Sequence, residues 1–192
     1  MKKLFVLFLI LISNSVSAKT EDTLRVYTWE EAQKADPEVV FAISLEKLKL
    51  ETVPAELAKF KRLKKLNLSK NKLKELPEFI SHFDSLEELD LYKNQIFLFP
   101  VQLCQMKSIK RLILARNSFE QIPECIKYME KLNYLDLSDT PVANFPEAFV
   151  VMKNLKTLVL NGLSYSPTFQ TRWKERLSWM RIEFDSPCNC FE

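Results

Sequence analysis

The chain has 192 residues, with 28 lysines and arginines, 25 aspartates and glutamates, and a single glycine, Gly162. A hydrophobic content of 47% beside 28% charged residues is typical of a globular protein and excludes an intrinsically disordered chain. One glycine is too few for a dinucleotide-binding loop, a phosphate-binding loop or a GxSxG nucleophile elbow, all of which need glycine for tight turns.

The first 18 residues have the pattern of a secretory signal peptide. Two lysines precede the continuously apolar segment 4–12, and Val16-Ser17-Ala18 fits a small-residue cleavage site. The alternative, an uncleaved anchor, is disfavoured because a membrane span needs about 20 apolar residues. We therefore expect export to the periplasm, the cell surface or the medium, with no transmembrane segment after cleavage.

Cleavage would leave 26 basic against 25 acidic residues, because it removes two of the 28 basic residues and no acidic one. A nearly neutral mature protein gives no general electrostatic reason for a polyanionic partner. Export also argues against a nucleic-acid partner.

Residues 19–39 are predicted to form an N-terminal cap. Thr28-Trp29-Glu30-Glu31 reads as a capping box, in which Thr28 and Glu31 bond each other's backbone amides. A short helix should then run to about Ala35 and end before Pro37.

Residues 40–154 comprise five repeats of 23 residues, which begin at Val40, Leu63, Leu86, Ile109 and Leu132. The pattern in repeat two is Leu63, Leu66, Leu68, Asn71, Leu73, Leu76, Pro77, Ile80 and Phe83. Its seven apolar positions are apolar in all five repeats, and proline occupies the fifteenth position of each. The second and third leucines are two residues apart, so they share one face of a short strand, and stacked strands would form a parallel sheet.

Asparagine follows the predicted strand in the middle repeats, at Asn71, Asn94 and Asn117. Stacked side-chain amides at this point can bond backbone groups that the bend leaves unpaired, so we expect a structural ladder. Leu48 and Thr140 hold the same position in repeats one and five, so the ladder should be incomplete at both ends. Turns built from asparagine and proline need little glycine, and Gly162 is expected to mark the end of the repeats.

These LxxLxLxxNxL and Pro-x-x-[Ile/Leu] motifs resemble the 23-residue class of the leucine-rich repeat family, over about residues 40–177. The resemblance implies an α/β solenoid with a parallel concave sheet and convex returns that are mostly extended or short helices. It is specific for fold and not for function. The chain ends are more similar to those of secreted bacterial leucine-rich repeat proteins than to the cysteine-rich flanks of animal ones.

Residues 155–185 are predicted to form a partial sixth repeat and a C-terminal cap, followed by a tail at 186–192. Ser166-Pro167 is a typical helix start. Apolar residues then recur at helical spacing, at Phe169, Trp173, Leu177 and Met180. The segment 181–184 alternates like a final strand.

The four cysteines allow three complete pairings, and the sequence does not choose between them. Cys104 and Cys125 lie on the return side of adjacent repeats, so a disulfide between them is possible. His82 lies one repeat before Cys104, which leaves a Cys/His enzyme or a metal site as a minor alternative. No metal motif or catalytic triad is present, so we expect no catalytic residue, metal or cofactor.

Residues between the buried leucines should face the concave side. In repeats two to five these are Lys65, Asn67 and Ser69; Glu88, Asp90 and Tyr92; Arg111, Ile113 and Ala115; and Tyr134, Asp136 and Ser138. The centre of this face combines tyrosine, arginine and acidic residues, which suit a protein or peptide partner. The predicted partner site comprises Glu88, Asp90, Tyr92, Arg111, Ile113, Arg116, Tyr134, Asp136 and Asp139.

Two other surfaces compete with the concave face. Phe97 and Leu98 occupy positions that are mostly polar or small in the other repeats, so they are a candidate contact on the rim. Eight of the sixteen residues 59–74 are basic, which fits a polysaccharide or an anionic surface if they gather into one patch. The leading prediction is an exported, non-enzymatic binding module for a protein or peptide. A surface adhesion or structural component is the alternative.

Overall fold

The computed structural model describes residues 25–185. The predicted signal peptide, the tail at 186–192, Cys188 and Cys190 lie outside the described residues. Within residues 25–185, eight short strands pair in chain order in one parallel sheet. They are β1 (Tyr27–Thr28), β2 (Ala42–Ser44), β3 (Lys65–Asn67), β4 (Glu88–Asp90), β5 (Arg111–Ile113), β6 (Tyr134–Asp136), β7 (Thr157–Val159) and β8 (Arg181–Glu183).

The strand register follows the sequence repeat. From β2 to β7 each residue pairs with the residue 23 positions later, so that Leu66, Leu89 and Leu112 stand side by side. The last pairing joins Leu158 to Ile182, where the cap replaces the regular repeat. The predicted solenoid with a parallel sheet is confirmed.

Short helices form the return side of each repeat. Five-residue 3₁₀ helices follow the proline of the first four repeats directly, at Ala55–Lys59, Glu78–His82, Val101–Gln105 and Glu124–Tyr128. Proline suits this position because its fixed φ and missing N–H are tolerated at a helix start. In the fifth repeat the return contains the helix α2 (Ala148–Val151).

Columns of stacked side chains fill the space between the sheet and the returns. The apolar residues of successive repeats are buried there, including Leu66, Leu89, Leu112 and Leu135 on the strands. Each repeat alone would expose this apolar face, so the stacking of neighbouring repeats forms one continuous core.

The asparagine ladder lies at one end of the strands. Asn94 Oδ1 accepts the N–H of Leu73 at 3.1 Å, while its Nδ2 donates to the carbonyls of Leu68 and Leu91 at 3.1 and 3.0 Å. Asn71 and Asn117 make the same three types of bond one repeat away. The ladder therefore satisfies buried backbone groups across repeat boundaries.

Caps cover both ends of the solenoid. At the N-terminus, α1 (Trp29–Lys34) begins with the Thr28 hydroxyl accepting the Glu31 N–H at 3.3 Å, and the Glu31 carboxylate accepting the Thr28 N–H at 2.9 Å. At the C-terminus, α3 (Pro167–Arg176) begins at Ser166, whose hydroxyl accepts the Phe169 N–H at 3.2 Å.

The C-terminal apolar stripe differs from the prediction in one respect. Trp173, Leu177 and Met180 are buried, but α3 ends at Arg176, so the last two lie beyond the helix. They pack where the chain turns into β8. No helix within residues 25–185 has the length and apolar character to cross a membrane.

Candidate functional site

One row of concave side chains runs across four adjacent strands. Lys65, Glu88, Arg111 and Tyr134 are register partners on β3 to β6, and we call them the charged row. Glu88 lies between two cations, 3.2 Å from Lys65 Nζ and 3.8 Å from Arg111 Nε. The Arg111 guanidinium lies over the Tyr134 ring, 3.6 Å from its centroid. These partly exposed contacts hold the side chains in place without burying their polar groups.

The second concave row closes turns at the strand ends. Asp90 Oδ1 accepts the N–H of Tyr92 at 2.8 Å, and Asp136 Oδ1 accepts the N–H of Ser138 at 2.9 Å. Burial raises the pKa of Asp90, and the nearby carboxylates of Glu88 and Glu46 act in the same direction. These two aspartates therefore have a local structural role that sequence reasoning missed, although spacing of two residues before a turn is its usual signal.

Ile113 interrupts this second row. It occupies the register position between Asp90 and Asp136, where it makes no such turn bond and remains half-exposed. An aliphatic side chain between two carboxylates is a small apolar contact point on an otherwise polar face.

The predicted third concave position lies beyond the strands. Ser69 and Ala115 are buried there, so the prediction that they face the concave side is wrong. The strands are only three residues long, and the backbone bends before a third outward side chain can follow. Tyr92, Arg116 and Asp139, which were predicted at the centre, therefore lie along the edge of the sheet.

A column of left-handed residues forms this edge. Positive φ values of 53–60° occur at Lys47, Lys70, Lys93, Arg116 and Asp139, and of 88° at Gly162. Successive members are 23 residues apart. We call its first four members, Lys47, Lys70, Lys93 and Arg116, the cationic column.

Gly162 is therefore the sixth member of a repeating turn and not merely an end marker. A Cβ built on Gly162 would lie 1.8 Å from Asp139 Oδ1, so glycine is needed at this repeat for space as well as for conformation. The expectation that asparagine and proline replace glycine in the turns is incomplete, since lysine and arginine adopt the left-handed conformation.

Ion pairs link the edge residues between repeats. Lys70 Nζ is 3.0 Å from Glu46 Oε1, and Arg116 Nε is 2.8 Å from Asp139 Oδ2. Both pairings raise the pKa of the cation concerned. Arg116 and Lys70 also approach the Tyr92 ring from either side, with 5.7 and 6.0 Å to its centroid. Tyr92 is thus held between two cations.

The basic run does not form one patch. Lys70 belongs to the cationic column, and Lys65 belongs to the charged row on the concave side. Lys59 ends a 3₁₀ helix on the return side. The repeat geometry distributes the charges, as their spacing predicts.

Cys104 and Cys125 form a disulfide with their Cα atoms 5.6 Å apart. The bond joins the 3₁₀ helices of repeats three and four. Neither sulfur is a free thiol, and His82 is exposed on the return side. Among the described residues, no group of three potential metal ligands occurs.

Phe97 and Leu98 lie on the edge of the return side, where both are well exposed. They line a groove of about 430 Å³ together with residues of repeats two and four. The structure separates this groove from the concave site, because the strand positions and the groove positions lie at different points of the repeat.

The family profile described as leucine-rich repeats in two copies matches residues 61–98. Together with the stacked 23-residue repeats, this match identifies the fold. The chain is a leucine-rich repeat protein. A search of curated proteins found no match to it.

Solved bacterial structures share the solenoid. A leucine-rich repeat protein of Leptospira interrogans is 24% identical with a TM-score of 0.61, covering 77% of this chain and 43% of its own. An internalin (InlF) of Listeria monocytogenes is 15% identical with a TM-score of 0.62, covering 77% and 44%. Internalin C2 of the same species is 18% identical with a TM-score of 0.57, covering 64% and 52%. This leucine-rich repeat protein thus spans about half the length of these structures, and the likeness establishes the fold alone.

Proposed function

We propose that this leucine-rich repeat protein is an exported, non-enzymatic module that binds another protein or a peptide through its concave face. The observation that carries the proposal is the group formed by Arg111, Ile113 and Tyr134 on β5 and β6. Arginine and tyrosine are enriched at binding hot spots, and Ile113 supplies an apolar contact beside them.

The parallel sheet supports this use of the concave face. Each of the three side chains is carried by a strand paired on both sides, so little backbone entropy is lost on binding. Arg111 is already held against Glu88 and Tyr134, which reduces the number of conformations that binding must restrict.

Binding to a partner from the native cell envelope tests the proposal. The triple variant Arg111→Ala, Ile113→Ser and Tyr134→Ala removes the group, and its fold is checked by thermal melting. The matched control is Tyr128→Ala with Val151→Ser, which removes an exposed tyrosine and an exposed aliphatic residue from the return side. We expect crosslinked capture to fall at least tenfold for the triple variant and to be unchanged for the control. Equal capture by a folded triple variant would move the site off the concave face.

Export is proposed on the signal-peptide pattern of residues 1–18. Intact-mass measurement of the protein from its source cell tests it, and we expect a chain that begins at Lys19. Recovery of the uncleaved chain from the cytoplasm would contradict this part of the proposal.

The cationic column favours a second candidate, recognition of an anionic polysaccharide. Lysine and arginine lack the local hydrogen bond that eases asparagine into the left-handed conformation, so they occupy these positions at a conformational cost. Such strain is often retained where a side chain has a use. Heparin serves as the probe: binding that weakens with added salt and falls with Lys93→Gly would favour this function. Salt-independent capture of a protein would favour the first.

A further inference from the structure

Repeat three differs from the other repeats at three exposed positions. The twelfth, thirteenth and sixteenth residues of the repeat are Phe97, Leu98 and Val101. The equivalent residues of repeat two are charged, being Lys74, Glu75 and Glu78, and those of repeat four are Glu120, Gln121 and Glu124. In repeats one and five these positions are occupied by Glu51, Thr52 and Ala55, and by Ala143, Asn144 and Glu147. The backbone therefore accepts polar or small residues here, so the fold does not require the three apolar side chains.

These apolar side chains remain in solvent. Phe97 is 56% exposed, Leu98 is 70% exposed and Val101 is 58% exposed. Single exposed apolar residues are common on protein surfaces, but a contiguous group of this kind marks an interaction site.

The three residues stand over a groove with an apolar floor. Its volume is about 430 Å³, within the range of pockets that take large side chains. Leu76, Phe99 and Ile122 line it from three successive repeats and are themselves buried. Gln102 also lines the groove, and its Nε2 donates to the Leu76 carbonyl at 3.1 Å, which joins repeats two and three at this point.

Acidic residues flank the groove on both sides. Glu75 and Glu78 precede it in repeat two, while Glu120 and Glu124 follow it in repeat four, and all four are exposed. Lys74 is the only cation at the corresponding positions of these two repeats. Glu124 accepts the N–H groups of Glu147 and Ala148 at 2.9 Å each, and the other three glutamates form no ion pair within residues 25–185.

We propose that this groove binds a segment of a partner protein that presents a large apolar side chain between lysine or arginine residues. The apolar side chain would enter the groove over Leu76, Phe99 and Ile122. The flanking cations would face the glutamates of repeats two and four. This site is separate from the concave face, and the proposal does not depend on the proposed function of that face.

The disulfide fixes the geometry of the groove. Cys104 and Cys125 belong to the 3₁₀ helices that begin at Val101 and at Glu124, the residues that border the groove from repeats three and four. A covalent link between these helices keeps the two repeats at one separation, so the groove is preformed.

Synthetic peptides test the proposal on the whole mature chain. The probe is a twelve-residue alanine- and serine-based peptide with Leu-Phe at its centre and two lysines on each side. One control peptide replaces the lysines with glutamates, and another replaces Leu-Phe with serines. We expect the lysine-flanked peptide to bind at least tenfold more tightly than either control by fluorescence anisotropy.

The protein variant Phe97→Lys, Leu98→Glu and Val101→Glu gives repeat three the residues of repeat two, so the backbone is known to accept them. We expect it to melt at the same temperature or higher and to lose peptide binding at least tenfold. The concave triple variant, Arg111→Ala, Ile113→Ser and Tyr134→Ala, should bind the peptide as the wild type does, which separates this proposal from the previous one.

Three results would overturn the proposal. They are equal binding of the peptide by the repeat-two variant, equal binding of the lysine- and glutamate-flanked peptides, and a wild-type dimer in sedimentation that the repeat-two variant abolishes. The last result would assign the groove to a second copy of this chain.

Discussion

Replacing Asn94 with alanine removes the central member of the asparagine ladder. Asn94 is 8% exposed and bonds three backbone groups of two repeats. The carbonyls of Leu68 and Leu91 keep a second donor, since Asn71 and Asn117 also donate to them. The Leu73 N–H has no other acceptor in the structure, so it becomes a buried donor without a partner.

The magnitude follows from these three contacts. An orphaned buried donor costs about 1–3 kcal/mol, and each of the two lost bonds to a carbonyl costs about 0.5–1.5 kcal/mol net. We therefore expect Asn94→Ala to lower the free energy of unfolding by about 3 kcal/mol. Urea titration followed by circular dichroism measures this, with the slope checked for unchanged cooperativity.

The chain supplies its own control. Thr140 takes the ladder position in repeat five, where its hydroxyl accepts the Asn117 N–H at 3.3 Å and donates to the Leu114 carbonyl at 3.1 Å. Asn94→Thr should therefore cost less than Asn94→Ala, because a hydroxyl can restore part of the bonding. A loss below about 0.5 kcal/mol for Asn94→Ala, or equal losses for both variants, would refute the ladder as a source of stability.

Other predictions concern the turns, the disulfide and the cap. Gly162→Ala should lower stability by at least about 1 kcal/mol, since it adds a clash and left-handed strain, whereas Lys93→Gly should raise stability by about 0.5 kcal/mol; thermal melts in parallel will show whether the signs are opposite. Cys104→Ser with Cys125→Ser should cost about 3 kcal/mol, and a reducing agent should have the same effect on the wild type but none on the variant. Burial raises the pKa of Tyr165 to about 12 from 10, so the folded state holds its proton more tightly, and this contribution is present below pH 10 and lost as pH rises towards 12. Tyr165→Phe should show a smaller loss of stability in urea titrations across that interval, and an identical loss would contradict the assignment.

The 23-residue period was sufficient to predict the architecture. Leu66, Leu89 and Leu112 recur at one interval, and only stacked strands in register bury all of them together. The period also contains the charged row, since Lys65 and Glu88 are separated by the same interval. Contacts between repeats can thus be found by comparing residues 23 positions apart.

The turn at the sheet edge was not predictable from residue preferences. Lys93 and Arg116 are not residues that favour a left-handed backbone, so local propensity points away from the observed conformation. The stacked repeats impose it, because the neighbouring strand pairing and the asparagine ladder define where the chain must bend. The concave assignment of Ala115 failed for the same reason.

Repetition makes the exceptions informative. A buried position must be apolar in every repeat, because each repeat contacts its neighbours in the same way. Ile113 among aspartates and Phe97 among charged residues have no such requirement, since other repeats hold different residues on the same backbone. Both departures lie in repeats three and four, which the disulfide also joins. Exchanging residues between equivalent positions therefore tests recognition without disturbing the fold, and repeats three and four are where such exchanges should change binding most.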